Sequence, residues 1–172
     1  MGKTALIFVF LVCFVSCEDN YQVVESKILT AKTPPAQSDT IVVDSLTNTQ
    51  FSRLHKPETF GMTYRYYPSA EIRDKEFKVV FSGRARTNYG FSNAYIIVSV
   101  GSQKESFGWY GTSLRYFFTD VNTWCNFKDS VSFKRESWHD PYYCINVFAQ
   151  LADSPTEKFD IDTLHVEVKV KD

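Results

Sequence analysis

From about residue 40 onward, apolar and polar side chains alternate with a period of two, and helical periodicity is scarcely found. Thr40 to Asp44 makes a short first strand, and Phe60 to Tyr67 a second, closed by Pro68-Ser69. Lys75 to Arg86 sets Phe77, Val79 and Phe81 against Lys78, Ser82 and Arg84, the pattern of a sheet with one buried face. Asn93 to Val100 alternates Ala94, Ile96, Val98 and Val100 against Tyr95, Ile97 and Ser99, so both faces are largely apolar and the strand is expected to be central. Glu105 to Phe118 carries aromatic residues around a Gly111-Thr112 break. Trp124 to Phe133, Tyr142 to Leu151 and Phe159 to Val170 complete the set.

Strands of this number, separated by turn signals and without a convincing helix or repeat, predict an all-β fold. The expected architecture is an antiparallel β-sandwich of about eight strands, a jelly roll, with a closed eight-stranded barrel as its competitor. In the last strand Phe159 and Ile161 share one face, whereas Leu164, Val166, Val168 and Val170 have the opposite parity. The apolar side therefore switches near Asp162-Thr163, which a bulge or a strand crossing between sheets produces.

The amino-terminal residues follow another pattern. Lys3 precedes an apolar run from Ala5 to Val15 that is too short to span a bilayer, and Ser16-Cys17 then leads into Glu18-Asp19-Asn20. Phe14-Val15-Ser16-Cys17 resembles a bacterial lipobox, which implies that Cys17 is acylated and that the protein is held in the bacterial outer membrane of the cell envelope. An ordinary signal peptide cut nearby, releasing a soluble secreted chain, uses the same features. The expected organisation is a signal peptide over 1–16, a lipidated cysteine and polar tether over 17–39, and the sandwich over 40–172. Lys32-Thr33-Pro34-Pro35 prevents a helix or central strand within the tether, although Val23-Val24 and Ile28-Leu29 could pack as an early strand. A loose coil of this length reaches on the order of 25 Å.

Charge names no partner: the formal net charge is −1, and loss of Lys3 makes it −2. Without a basic excess, nucleic acid is not an expected partner. Aromatic residues make up 16% of the chain and favour strands over helices. Beyond the signal region only Cys125 and Cys144 accompany Cys17. A hairpin centred near residue 137 sets Cys125 opposite the region of Gln150 and Cys144 opposite Val131, too far apart to bridge, so both read as small buried hydrophobes. Placement in different sheets would reopen the disulfide.

From Phe77 onward, over about 95 residues, the order of features resembles the galactose-binding-like, carbohydrate-binding-module-like jelly rolls of Bacteroidetes-type lipoproteins. The residues that carry it are Ser92-Asn93-Ala94-Tyr95-Ile96-Ile97-Val98, Gly108-Trp109-Tyr110-Gly111, Trp124, Tyr142-Tyr143-Cys144-Ile145-Asn146-Val147 and Phe159-Asp160-Ile161-Asp162-Thr163-Leu164. The resemblance implies a sandwich fold and a binding role. Where the family places two adjacent acidic residues in the closing strand, Asp162 matches and Thr163 does not.

Sugar recognition needs flat aromatic faces beside fixed polar groups. Trp109, Tyr110, Trp138, Tyr142 and Tyr89 are the candidates, Trp138 and Tyr89 because they lie in loop-like stretches. The competing reading makes Trp109 and Trp124 core residues. His55, His139 and His165 are too scattered to form a metal site and read as solvated or capping residues. Asp160 and Asp162 share a strand face and are weak candidates for structural calcium; no other cofactor is expected. Glu105, Glu136, Asp140 and Tyr110 show no catalytic spacing, and no nucleophile, metalloprotease or phosphate-loop motif occurs. The expected role is a non-catalytic, membrane-anchored binding module with carbohydrate as ligand. Its alternatives are a structural partner of another envelope protein and a jelly-roll glycan hydrolase or lyase.

Overall fold

The structure, a computed structural model, describes residues 20–31, 40–45, 47–56, 59–102, 106–134 and 143–172. Ten strands are found there: β1 (Tyr21–Thr30), β2 (Thr40–Val43), β3 (Gln50–Leu54), β4 (Phe60–Tyr66), β5 (Phe77–Thr87), β6 (Ala94–Gly101), β7 (Ser106–Ser113), β8 (Cys125–Phe133), β9 (Cys144–Leu151) and β10 (Phe159–Lys171). They form two antiparallel sheets packed face to face. One runs β2-β3-β10-β5-β8 with β1 added to β10, and the other runs β4-β9-β6-β7. This is the predicted sandwich, and β6 is central, paired with both β7 and β9.

The core lies between the sheets. On β10 the inward residues Phe159, Ile161, Leu164, Val166, Val168 and Val170 are all buried. At roughly 1.5–3 kcal/mol for each buried side chain of this kind, the strand's burial is comparable with the whole net stability of a domain. Its parity switch is a bulge: Ile161 stands opposite Ala85 and Thr163 opposite Arg84, which leaves Asp162 unpaired on β5. The same point divides β10 between two partners, since β3 pairs with residues 159–161 and β1 with residues 163–171. A cavity of about 420 Å³ fills the gap between them, lined by Thr30, Ala31, Gln50, Asp162 and Thr163 among others.

Two strands go beyond the eight expected. Residues 21–30, assigned to the tether, form β1, the early strand that their apolar patches allowed. Its inward positions, opposite Leu164, Val166 and Val168, hold Leu29, Lys27 and Glu25, and a bulge at Val24 breaks the parity further. Charged residues facing inward are tolerated because this is an edge strand. In β3, Phe51 and Leu54 have opposite parity, and Phe51 is buried on the outer face of its sheet.

Of the two arrangements open to the segments around residue 137, a hairpin or strands in different sheets, the structure has the second. β8 and β9 belong to different sheets, and the core sets their order because each must present its alternating face to the other sheet. Cys125 and Cys144 are nevertheless free and only partly buried. The Cys144 thiol donates to the Gly101 carbonyl at 3.4 Å, and the Cys125 thiol to that of Thr123 at 3.7 Å.

Candidate functional site

The outer face of the four-stranded sheet combines an exposed aromatic surface with fixed polar groups. Its geometry starts from alternation on β7: Trp109 projects outward opposite Ser99, while Tyr110, its neighbour, stands opposite inward-facing Val98. Trp109 is 57% exposed. Gly111, two residues on, shares its face, and a Cβ built there would lie 3.3 Å from Trp109 Cζ3 and 3.1 Å from Ile97 Cδ1. The missing side chain lets the six-membered ring of the indole lie along the sheet instead of standing off it. Beneath and beside it, Ile97 is fully buried although it faces outward. Two strands away Phe148 packs against Phe60, with ring centroids 5.9 Å apart.

A polar row crosses the sheet at the level of Trp109. The pairings set Arg65 opposite Asn146, Asn146 opposite Ser99 and Ser99 opposite Trp109. Arg65 Nε donates to Asn146 Oδ1 at 2.7 Å, and Asn146 Nδ2 donates to Ser99 Oγ at 3.4 Å. These bonds fix the amide and orient the guanidinium, so the row is pre-organised before any ligand arrives. Arg65, Asn146 and Ser99 carry no local signal in the sequence and come together only through the strand order β4-β9-β6-β7.

The other candidates are dispersed. Tyr110 packs edge-on against Phe133 of β8 at 5.0 Å and helps close the gap between the two sheets, so it does not extend the Trp109 surface. Tyr89 is exposed in the loop before β6, and the span from Tyr95 to Ser99, about 13 Å of strand, separates that end of the sheet from the Trp109 row. Trp138, Tyr142, His139, Glu105, Glu136, Asp140 and the lipidation residue Cys17 lie outside the described residues. Trp124 is half-buried on the outer face of the six-stranded sheet, edge-on to Phe51 and beneath the guanidiniums of Arg84 and Arg86 at 5.0 and 4.7 Å.

That cluster also occupies the two aspartates considered for calcium. Asp160 accepts from Arg53 through both oxygens, at 2.7 and 2.8 Å, and from Arg86 at 2.9 Å. The same bonds raise the pKa of Arg53, with burial acting in the opposite direction. Asp162 is paired with Arg84 and also accepts from Thr163 Oγ1. Guanidiniums hold the positions that a cation would need. Among the described residues no three His, Cys, Asp or Glu side chains come together to hold a metal ion. His55 contacts the Lys56 carbonyl and His165 the Ser26 hydroxyl.

Among the described residues the chain is a β-sandwich with one 3-10 turn, Leu114–Tyr116, and one sheet face that combines an exposed indole with a polar row. No protein-family model matches the chain. No curated protein matches it either. Among solved structures it is similar to the CBM36-1 domain of a multidomain xylanase from the hindgut metagenome of Trinervitermes trinervoides, at 13% identity and a TM-score of 0.41, covering 83% of this chain and 96% of that one. It is similar to the xylan-binding module CBM15 at 10% identity and a TM-score of 0.44, covering 87% and 96%. The mosquito-larvicidal Cry4Aa toxin from Bacillus thuringiensis matches at 14% identity and a TM-score of 0.49, over 83% of this chain and 23% of the toxin. At such identities and scores, none of these likenesses says what this chain binds.

Proposed function

We propose that the protein is a non-catalytic glycan-binding module, held at the bacterial cell envelope through an acylated Cys17. The observation that carries the binding role is the exposed Trp109 indole, laid along the sheet over Gly111 and continued by the Ser99-Asn146-Arg65 row. A pyranose ring offers apolar C–H faces and polar edges. The indole covers the first, and the hydroxyl, amide and guanidinium read the second. The four strands of the sheet contain no carboxylate, which supports binding over glycoside cleavage as the role of this face. The anchor rests on the Ala5 to Cys17 pattern.

Binding to a panel of immobilised polysaccharides tests the reading. Trp109→Ala is expected to weaken it about 10- to 100-fold, the scale of a central aromatic anchor, with Gly111→Val acting in the same direction by lifting the indole. Unchanged affinity in Trp109→Ala overturns the platform. Stoichiometric co-purification of one envelope protein with no glycan signal would replace it with an assembly role. Mass spectrometry of the mature amino terminus is expected to find acylated Cys17, and a chain beginning at Glu18 would remove the anchor.

A further inference from the structure

We infer that the glycan is acidic, and that Arg65 receives an oxyanion carried on a sugar, a uronate carboxylate or a sulfate ester, while Trp109 stacks another ring of the same chain. This rests on the binding reading above and narrows its ligand. The four strands of the sheet contain one charged side chain, Arg65. Elsewhere in the sandwich, strand arginines are neutralised: Arg53 and Arg86 share Asp160, and Arg84 pairs with Asp162. Among the described residues no carboxylate pairs with Arg65, whose Nε bond goes to a neutral amide. The two terminal amino groups form the fork that grips a carboxylate or sulfate through parallel hydrogen bonds.

Energetics favour the same ligand. A neutral sugar laid across the row takes water from the guanidinium without returning a charge, whereas an anionic sugar replaces that water with a charge-assisted pair. Geometry sets the spacing. Arg65 and Trp109 lie at opposite edges of four strands, about 14 Å apart at the usual strand separation, roughly the length of three linked pyranose rings. The ligand is therefore an oligosaccharide with its acidic residue about two rings from the stacked one.

The test measures affinities of the full protein for polygalacturonate, dextran sulfate and neutral galactan. At least one acidic polymer is expected to bind about tenfold tighter than galactan, and the preferred one identifies the oxyanion. The advantage should shrink as salt rises toward about 0.5 M. Arg65→Gln, checked by an unchanged melting curve, is expected to bring the ratio near one, while Arg65→Lys retains part of it. Lys128→Gln, on the opposite sheet, is the control for diffuse charge. Equal binding of neutral and acidic polymers by the wild type overturns the inference, as does an equal loss in Lys128→Gln. If Trp109→Ala weakens every glycan while Arg65→Gln leaves the ratio intact, the binding face stands and the acidic ligand falls. If Trp109→Ala weakens none, the binding face itself falls.

Discussion

Gly83 occupies a place on β5 where no side chain fits. A Cβ there would overlap the Thr163 carbonyl and lie 2.6 Å from Phe127 Cζ, because the β10 bulge pushes its backbone toward β5 while Phe127 lies across the glycine from β8. The constraint is steric, since no glycine among the described residues has positive φ. Gly83→Ala is therefore expected to cost about 3 kcal/mol in urea unfolding, the upper range for a group forced into a filled site. Gly90, with nothing within 4 Å of a built Cβ, supplies the contrast: Gly90→Ala should stabilise by about 0.5 kcal/mol through the unfolded chain. Equal effects at the two positions would show that the bulge relaxes. Trp109 and Gly111 illustrate the opposite use of a glycine, where the missing side chain leaves room for an indole. Gly111 was visible in the sequence only as a break in an aromatic strand, because the ring it accommodates cannot be located without the register.

The eight strands from residue 40 onward with clear alternation were legible. The two short of it were not, for reasons specific to each. β1 turns Lys27 and Glu25 inward and carries a bulge, so its apolar residues fall in adjacent pairs instead of alternating. Its place on the edge of β10 makes that pattern tolerable, with Glu25 accepting from the Tyr64 hydroxyl of the opposite sheet. β3 buries Phe51 on the outer face beneath Arg53, Arg86 and Trp124, a cluster that draws on β3, β5 and the residue before β8 and has no local signature. The bulge in β10 was legible as a change of parity, but its consequence was not: one long strand serves β3 before Asp162 and β1 after it. The candidate site shows the same division. Trp109 was readable as an aromatic in a glycine-flanked strand, whereas Arg65 and Asn146 are 81 positions apart in sequence and meet through pairing alone.

Across the whole molecule, buried tyrosines make stability depend on alkaline pH. Tyr143 is 3% exposed and donates to the Arg73 carbonyl at 3.1 Å, and burial pushes its pKa up to about 12. Burial raises Tyr64 and Tyr66 as well, reinforced at Tyr64 by the bond to Glu25. An unfolded chain releases these protons near pH 10. Above that pH the folded state holds more protons than the unfolded one, so stability is full below about pH 10 and is lost as pH rises toward about 12. Urea midpoints are expected to fall over that interval, and Tyr143→Phe should flatten part of the decline. An unaltered slope in the variant would mean that Tyr143 ionises without unfolding the sandwich.

The start of β1 bears on the proposed anchor. Tyr21 stands opposite Lys171, and Asp172 N donates to the Asn20 carbonyl, so the chain enters the sandwich where β10 ends. With lipid on Cys17, the three residues before β1 reach at most about 10 Å, far less than the loose leash that a longer tether would give. The domain would then stand upright on the headgroups, with the ends of β4, β6 and β10 downward and the loops around Tyr89 and Tyr116 uppermost. The row from Arg65 to Trp109, which crosses the strands, would run level with the bilayer. A polysaccharide held there would lie parallel to the membrane at nearly constant height, a posture suited to retaining long strands against a surface rather than to capturing free chain ends above it.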